Sequence, residues 1–104
     1  MDELISKLIK FQEDRDWKKF HTPENLAKSI SIEAAELLEH FQWGKYYDNG
    51  KVAEELADVL IYSIYMADAM NLDIEEIILD KIAKNAIKYP INKSKGNAKK
   101  YTEF

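Results

Sequence analysis

Apolar residues recur at helical spacing along almost the whole chain. Leu4, Ile5, Leu8, Ile9 and Phe11 share one side of a helix predicted over residues 2–14. A second helix is predicted over residues 23–42, with Leu26, Ile30, Leu37 and Phe41 on its inner stripe. It begins after Thr22-Pro23, where threonine can cap and proline fits the first helical position. A third covers residues 51–70. Asn71-Leu72-Asp73 then breaks the pattern, Asp73 is a good N-cap, and a fourth helix runs over residues 74–89 until Pro90 stops it. Between these, residues 15–21 are aromatic and charged, and residues 43–50 form a turn carrying Trp43, Tyr46 and Tyr47. Three glycines and two prolines leave little punctuation for anything but long helices. The expectation is an all-α four-helix bundle, with residues 1–90 as its helical domain and residues 91–104 as a basic tail of the same domain.

Acid interrupts this pattern where acid is costly. Glu33-x-x-Glu36 and Glu55-x-x-Asp58 each sit inside an apolar helical stretch. Spacing alone is weak, since 19 acids in 104 residues would give roughly three such pairs by random placement. Position is more telling: at about 100° per residue Glu33 falls on the stripe of Leu26, Ile30, Leu37 and Phe41, the face that should be buried. Asp58 is followed at i+4 and i+7 by Tyr62 and Tyr65, with no charge before Asp68. Burying an unpaired carboxylate costs several kcal/mol or forces its neutralisation, so a group of four calls for a shared cation or for interhelical salt bridges. All-oxygen ligands suit Mg²⁺, which keeps open positions for substrate phosphates. Eighteen residues separate Glu36 from Glu55, the length that facing turns of an antiparallel hairpin need. His40 stands at i+4 from Glu36 and Tyr62 at the matching place on the third helix, so the Glu-x-x-His signature of di-iron bundles is missing. Glu39 and Glu54 fall at other angles and read as solvated.

Charge and composition narrow the setting. A net charge of −4 argues against non-specific binding of duplex nucleic acid. No cysteine is present, which removes disulfides and thiolate metal sites. The apolar run from Val59 to Ala67 is too short for a membrane span, and no signal peptide is evident, so a soluble, cytoplasmic protein is expected. That same run is apolar nearly all round a helix. In one 104-residue domain this predicts a homodimer or homotetramer packed through the third helix, with Tyr65 on the shared face.

Two further groups carry chemistry. The stripe Ile74, Ile77, Ile78 of the fourth helix continues as Lys81, Asn85 and Lys88, so polar groups follow on what began as a buried face. These read either as phosphate-holding groups or as a helix end emerging into solvent. Trp17, Phe20, His21 and Trp43 flank the second helix and read equally as a slot for a nucleobase or as core.

The segments that carry these residues resemble a known family. Ser31-Ile-Glu33-Ala-Ala-Glu36-Leu-Leu-Glu-His-Phe-Gln-Trp43, then Glu55-Leu-Ala-Asp58-Val-Leu-Ile-Tyr62, then Lys81-Ile-Ala-Lys-Asn85-Ala-Ile-Lys-Tyr89-Pro90 are similar to the MazG-like nucleotide pyrophosphohydrolases. The likeness is nearest to the small single-domain branch of dCTP pyrophosphatase-type enzymes, which also carry a segment like Arg15-Asp-Trp-Lys-Lys-Phe-His21 and a tail like Lys95-Gly-x-x-x-Lys-Tyr101-Thr-Glu. It spans about residues 14–104. The resemblance implies a helical catalytic domain that assembles as a dimer or tetramer. It implies Mg²⁺, or Mn²⁺ in its place, on Glu33, Glu36, Glu55 and Asp58. Its reaction is hydrolysis of a nucleoside triphosphate, by family likeness dCTP, to the monophosphate and pyrophosphate. His21, Trp17 and Trp43 would contact the base, and Lys81, Asn85, Lys88 and Tyr89 the sugar and phosphates. Relatives that prefer dUTP or phosphoribosyl-ATP share the acid motif, and a non-catalytic helical interaction protein is the rival from another class.

Overall fold

The computed structural model describes residues 1–104, all of them in helices, turns or connecting segments. The α-helices are α1 (Asp2–Asp14), α2 (Pro23–Glu39), α3 (Asn49–Ala69), α4 (Ile74–Lys88) and a short α5 (Ile91–Ser94), with 3₁₀ turns at Lys18–Phe20 and Tyr101–Glu103. No helix is long and apolar enough to cross a membrane. The chain forms two compact units, Met1–Leu72 and Asp73–Phe104.

In the first unit, the starts of α2 and α3 and the ends of α1 and α3 have local causes. Thr22 accepts a hydrogen bond from the backbone N–H of Asn25 at 3.3 Å and Pro23 takes the first helical position, which starts α2. Asp48 accepts from the N–H of Lys51 at 3.0 Å, so α3 begins at Asn49, two residues earlier than the apolar pattern alone placed it. α1 and α3 both end in a left-handed residue, Asp16 at φ 54° and Asn71 at φ 55°. Around Asp16 the N–H of Trp17 reaches back to the carbonyl of Gln12 at 3.0 Å and that of Asp16 to Glu13 at 3.0 Å; Leu72 and Asn71 repeat the arrangement on Ala67 and Asp68. Asp and Asn tolerate this backbone better than most side chains. The turn at Asp16 delivers Trp17 and His21 to the side of the helical pair.

α2 packs along α3, and α1 lies against α3. The buried apolar core is small: Leu26, Ile64, Tyr65 and Ala67, of which Leu26 alone is completely buried. Tyr65 departs from expectation. Its ring is buried within the chain, and its hydroxyl donates to the carbonyl of Leu8 at 3.1 Å, tying α3 to α1. It is therefore an internal tie and not part of an exposed face. Leu56 and Leu60 of α3, and Ile32 and Leu38 of α2, are exposed instead.

In the second unit, Asp73 caps α4 by accepting from the N–H of Glu76 at 3.0 Å, as its place before the apolar run implied. The tail is ordered by aromatic packing. Tyr101 and Phe104 meet Tyr89 edge-on at 6.1 and 5.8 Å, and the Lys88 ammonium lies 5.0 Å from the Tyr101 ring centre.

Leu26 is completely buried in a very small core, so Leu26→Ala is expected to destabilise the protein by about 2–5 kcal/mol in urea denaturation. A loss below about 1 kcal/mol would mean that the hairpin is held by other contacts.

Candidate active site

The turn between α2 and α3 sets the two acid motifs face to face. After Glu39 the chain tightens into i,i−3 bonds, from His40 to Leu37, Phe41 to Leu38 and Gln42 to Glu39, and Gly44 then turns it at φ 94°. That tightening ends α2 before residue 42. Phe41 packs on Tyr47 at 4.7 Å between ring centres, which closes the turn. As a result, carboxylate oxygens of Glu33, Glu55 and Asp58 lie within 4.8 Å of one another. Glu36, one helical turn beyond Glu33, acts on the Glu33 carboxyl through both a hydrogen bond and its charge.

Nothing basic answers these acids. The ion pairs of the chain join Lys7 to Glu3, Lys10 to Asp14, Lys18 to Glu13 and Asp68, and Lys19 to Asp16, all away from the cluster. One oxygen of Glu33 and one of Glu55 are buried without a hydrogen-bond partner. With every carboxylate ionised no donor is available to them; protonated Glu33, however, can donate to Glu55. This pushes the Glu33 carboxyl up to about 7 from its usual 4.5, first through the hydrogen bond to Glu55, then through burial, then through Glu36. Interhelical salt bridges therefore do not account for the acids. Partnerless oxygens in an all-oxygen cluster fit a hard divalent cation, with Glu33, Glu55 and Asp58 as its nearest ligands and Glu36 beside them.

Next to the cluster lies a cavity of about 400 Å³. α1 contributes Leu4, Lys7, Leu8 and Phe11, the segment after it Trp17 and His21, and α3 Asp58, Ile61, Tyr62 and Tyr65. Its aromatic rings fix one another: Trp17 meets Phe11 at 5.8 Å and His21 at 6.2 Å, both edge-on, and His21 stacks on Tyr65 at 5.3 Å. Asp58 belongs to both cavity and acid cluster. Tyr62 does so electrostatically, its hydroxyl held above the usual phenol range by burial first and then by Glu33, Asp58 and Glu36. An apolar, ring-lined pocket thus opens directly on a group of oxygen ligands.

The structure brings together Glu33, Glu36, Glu55, Asp58, Trp17 and His21. Trp43, 82% exposed in the α2–α3 turn, is not a wall of this cavity. In the second unit, Lys81 and Asn85 line an open cleft of about 490 Å³ with Ile77, Ile78 and Ile82, while Lys88 and Tyr89 engage Tyr101. Sequence reasoning missed the α1 wall. Leu4, Leu8 and Phe11 were indistinguishable from core by period, and the only available hint was the proximity of Phe11 to the aromatic segment that follows it.

Residues 28–104 match the MazG-like family. Over its full length the chain is 36% identical, across 114 aligned positions, to dCTP pyrophosphatase 1 of Mus musculus, covering 67% of that protein. It is 35% identical to dCTP pyrophosphatase 1 of Homo sapiens, again covering 67% of it. The crystal structure of a pyrophosphatase from Archaeoglobus fulgidus, 46% identical, superposes with a TM-score of 0.80 over 86% of this chain and 92% of that one.

The carboxyl of Glu33 makes the metal-free protein sensitive to pH. A folded-state value raised from 4.5 to about 7 means that the native state holds its proton more tightly than the unfolded chain. The stability it contributes is whole below pH 4.5 and is lost as pH rises toward 7. Thermal denaturation in EDTA should therefore show Tm falling across that window, a fall that Glu33→Gln abolishes and that millimolar Mg²⁺ or Mn²⁺ offsets at pH 8. A Tm in EDTA that is flat with pH in the wild type would contradict the reading of the cluster as unneutralised.

Proposed function

Because the chain belongs to the MazG-like family and is a nucleoside triphosphate diphosphatase, we propose that it hydrolyses a pyrimidine deoxynucleoside triphosphate, dCTP foremost, to the monophosphate and pyrophosphate in a Mg²⁺-dependent reaction. The observation that carries this reading is the junction at Asp58 and Tyr62, where an aromatic cavity meets the acid cluster. One end of the substrate is a flat ring and the other a chain of phosphates. Such a junction suits both ends at once.

A divalent cation, when bound, neutralises phosphate charge and favours ionisation of the attacking water. The residues of the chain do the rest. Glu33, Glu36, Glu55 and Asp58 hold the cation, and one of them is suited to take the proton from water as it attacks the α-phosphorus in line. The bond from the α-phosphorus to the bridging oxygen breaks, and pyrophosphate leaves. Trp17 and His21 present ring faces and edges to the base, and their apolar surround keeps water from it. Lys81, Asn85 and Lys88 carry the cations and amide that phosphates and a sugar hydroxyl require, and Tyr89 is assigned with them by family likeness. Trp43, which lies outside this cavity in the single chain, is assigned to the base by family likeness alone. Assembly belongs to the same proposal: Ile32, Leu38, Leu56 and Leu60 leave apolar surface on α2 and α3 that a second copy of the chain would cover, giving a homodimer or homotetramer in the cytoplasm.

Product analysis with a panel of nucleotides tests the reaction. Mg²⁺-dependent formation of dCMP and pyrophosphate from dCTP is expected, with loss of at least ~10³-fold in kcat for Glu36→Gln or Asp58→Asn at unchanged helical content. Trp17→Ala should raise KM more than it lowers kcat, because the base is held alike in ground and transition states. Release of orthophosphate, or turnover that survives Asp58→Asn, would refute the assignment. A preference for dUTP or phosphoribosyl-ATP would move the protein to another branch of the family.

A further inference from the structure

One polar side chain in the first unit is buried for no structural need of its own. Gln12, in the last turn of α1, is 3% exposed, the one buried polar residue of the chain. Its Nε2 lies 2.7 Å from Nδ1 of His21, while its Oε1 is buried with no partner. An apolar side chain of similar size would fill the same space without leaving an orphan oxygen, so the amide is explained by what it does to His21. The imidazole has little freedom left. It stacks on Tyr65 with 27° between planes and meets Tyr62 and Trp17 edge-on, each at 6.2 Å, so its ring plane is fixed from three sides.

A neutral imidazole carries one N–H. When Nδ1 accepts from the amide of Gln12, that proton resides on Nε2. Burial also lowers the His21 pKa, which favours the neutral ring near pH 7. We propose that Gln12 is a positioning residue for base selection: it holds His21 in the Nε2–H form, so that the ring serves the aromatic cavity as a hydrogen-bond donor. Among the wall groups the Tyr65 hydroxyl is already committed to the carbonyl of Leu8, while His21 is the ring held by a buried amide.

A fixed donor discriminates among pyrimidines. Cytosine offers an acceptor at ring N3, whereas uracil and thymine carry a hydrogen there and would set donor against donor. An unmade bond of that kind penalises the wrong base more than any difference in stacking does. Gln12 would thus favour cytosine without touching it. This inference rests on the cavity being the base site, and its test does not require turnover.

The experiment is ¹⁵N NMR of the histidine rings in the full-length protein, with His40→Gln to assign the two histidines, followed by titration with dCMP and dUMP. His21 is expected to show a protonated Nε2 and an unprotonated Nδ1 at pH 7.5, and dCMP is expected to bind more tightly than dUMP. In Gln12→Glu the carboxylate accepts from Nδ1–H, so Nδ1 should become protonated and the dCMP:dUMP affinity ratio should fall at least tenfold. Gln12→Leu, which fills the space without a polar group, should lose the tautomer preference and lower the ratio severalfold. A protonated Nδ1 in the wild type, as a reversed amide would produce, overturns the proposal. So does an affinity ratio that stays constant while the tautomer changes. If no nucleoside triphosphate is hydrolysed but the tautomer and affinity ratio shift together, the proposed reaction fails and the role of Gln12 stands.

Discussion

Mutual repulsion of carboxylates forced together by apolar packing is the constraint from which the rest of the molecule follows. Glu33 sits on the same stripe of α2 as Leu26, the one completely buried side chain, so the contacts that close the α2–α3 hairpin also drive acid against acid. No lysine or arginine relieves it, and one oxygen each of Glu33 and Glu55 stays without a donor. A protein that needed only a hairpin would place salt bridges or leucines there. Half-buried Glu33 and Glu55 and exposed Asp58 thus hold unneutralised charge at the edge of a marginal core, an arrangement that a divalent cation from solution would relieve.

The small core has a second consequence. With few apolar residues wholly shielded, the first unit relies on specific ties: the Tyr65 hydroxyl to Leu8, the backbone turn at Asp16, and rings packed edge to face. These ties also shape the cavity. Tyr65 fastens α3 to α1 and provides the face on which His21 stacks, while Asp16 ends α1 so that Trp17 returns over Phe11. The ties of the fold and the walls of the cavity are therefore the same side chains, and substitutions in the cavity should be read against both.

The acid cluster was legible in the sequence because charge at apolar helical positions is rare and because eighteen residues between Glu36 and Glu55 fit a hairpin. Helix starts at Thr22 and Asp73 were legible for a similar reason, since a cap is a local event between residues three apart. The start of α3 was missed by two residues because Asp48 sits among loop-forming neighbours that the apolar period ignores. Tyr65 was misread because a helix apolar on all sides does not say which side its own chain will cover; only the tertiary contact with Leu8 decides that. The same ambiguity hid the α1 wall, where Leu4, Leu8 and Phe11 line a cavity with the periodicity of a core face. Gln12 was invisible for another reason: a glutamine late in a helix is ordinary, and nothing in sequence reports that it is buried against His21.

Direct binding of Mn²⁺ to the metal-free protein, followed by the electron paramagnetic resonance signal of the free ion, addresses the acid cluster without reference to any substrate. The signal should fall saturably as protein is added, Mg²⁺ should restore it by competition, and Asp58→Asn should weaken binding by an order of magnitude or more. A free-ion signal unchanged by the wild-type protein, or quenched equally by Asp58→Asn, would contradict the assignment of these carboxylates as the cation site.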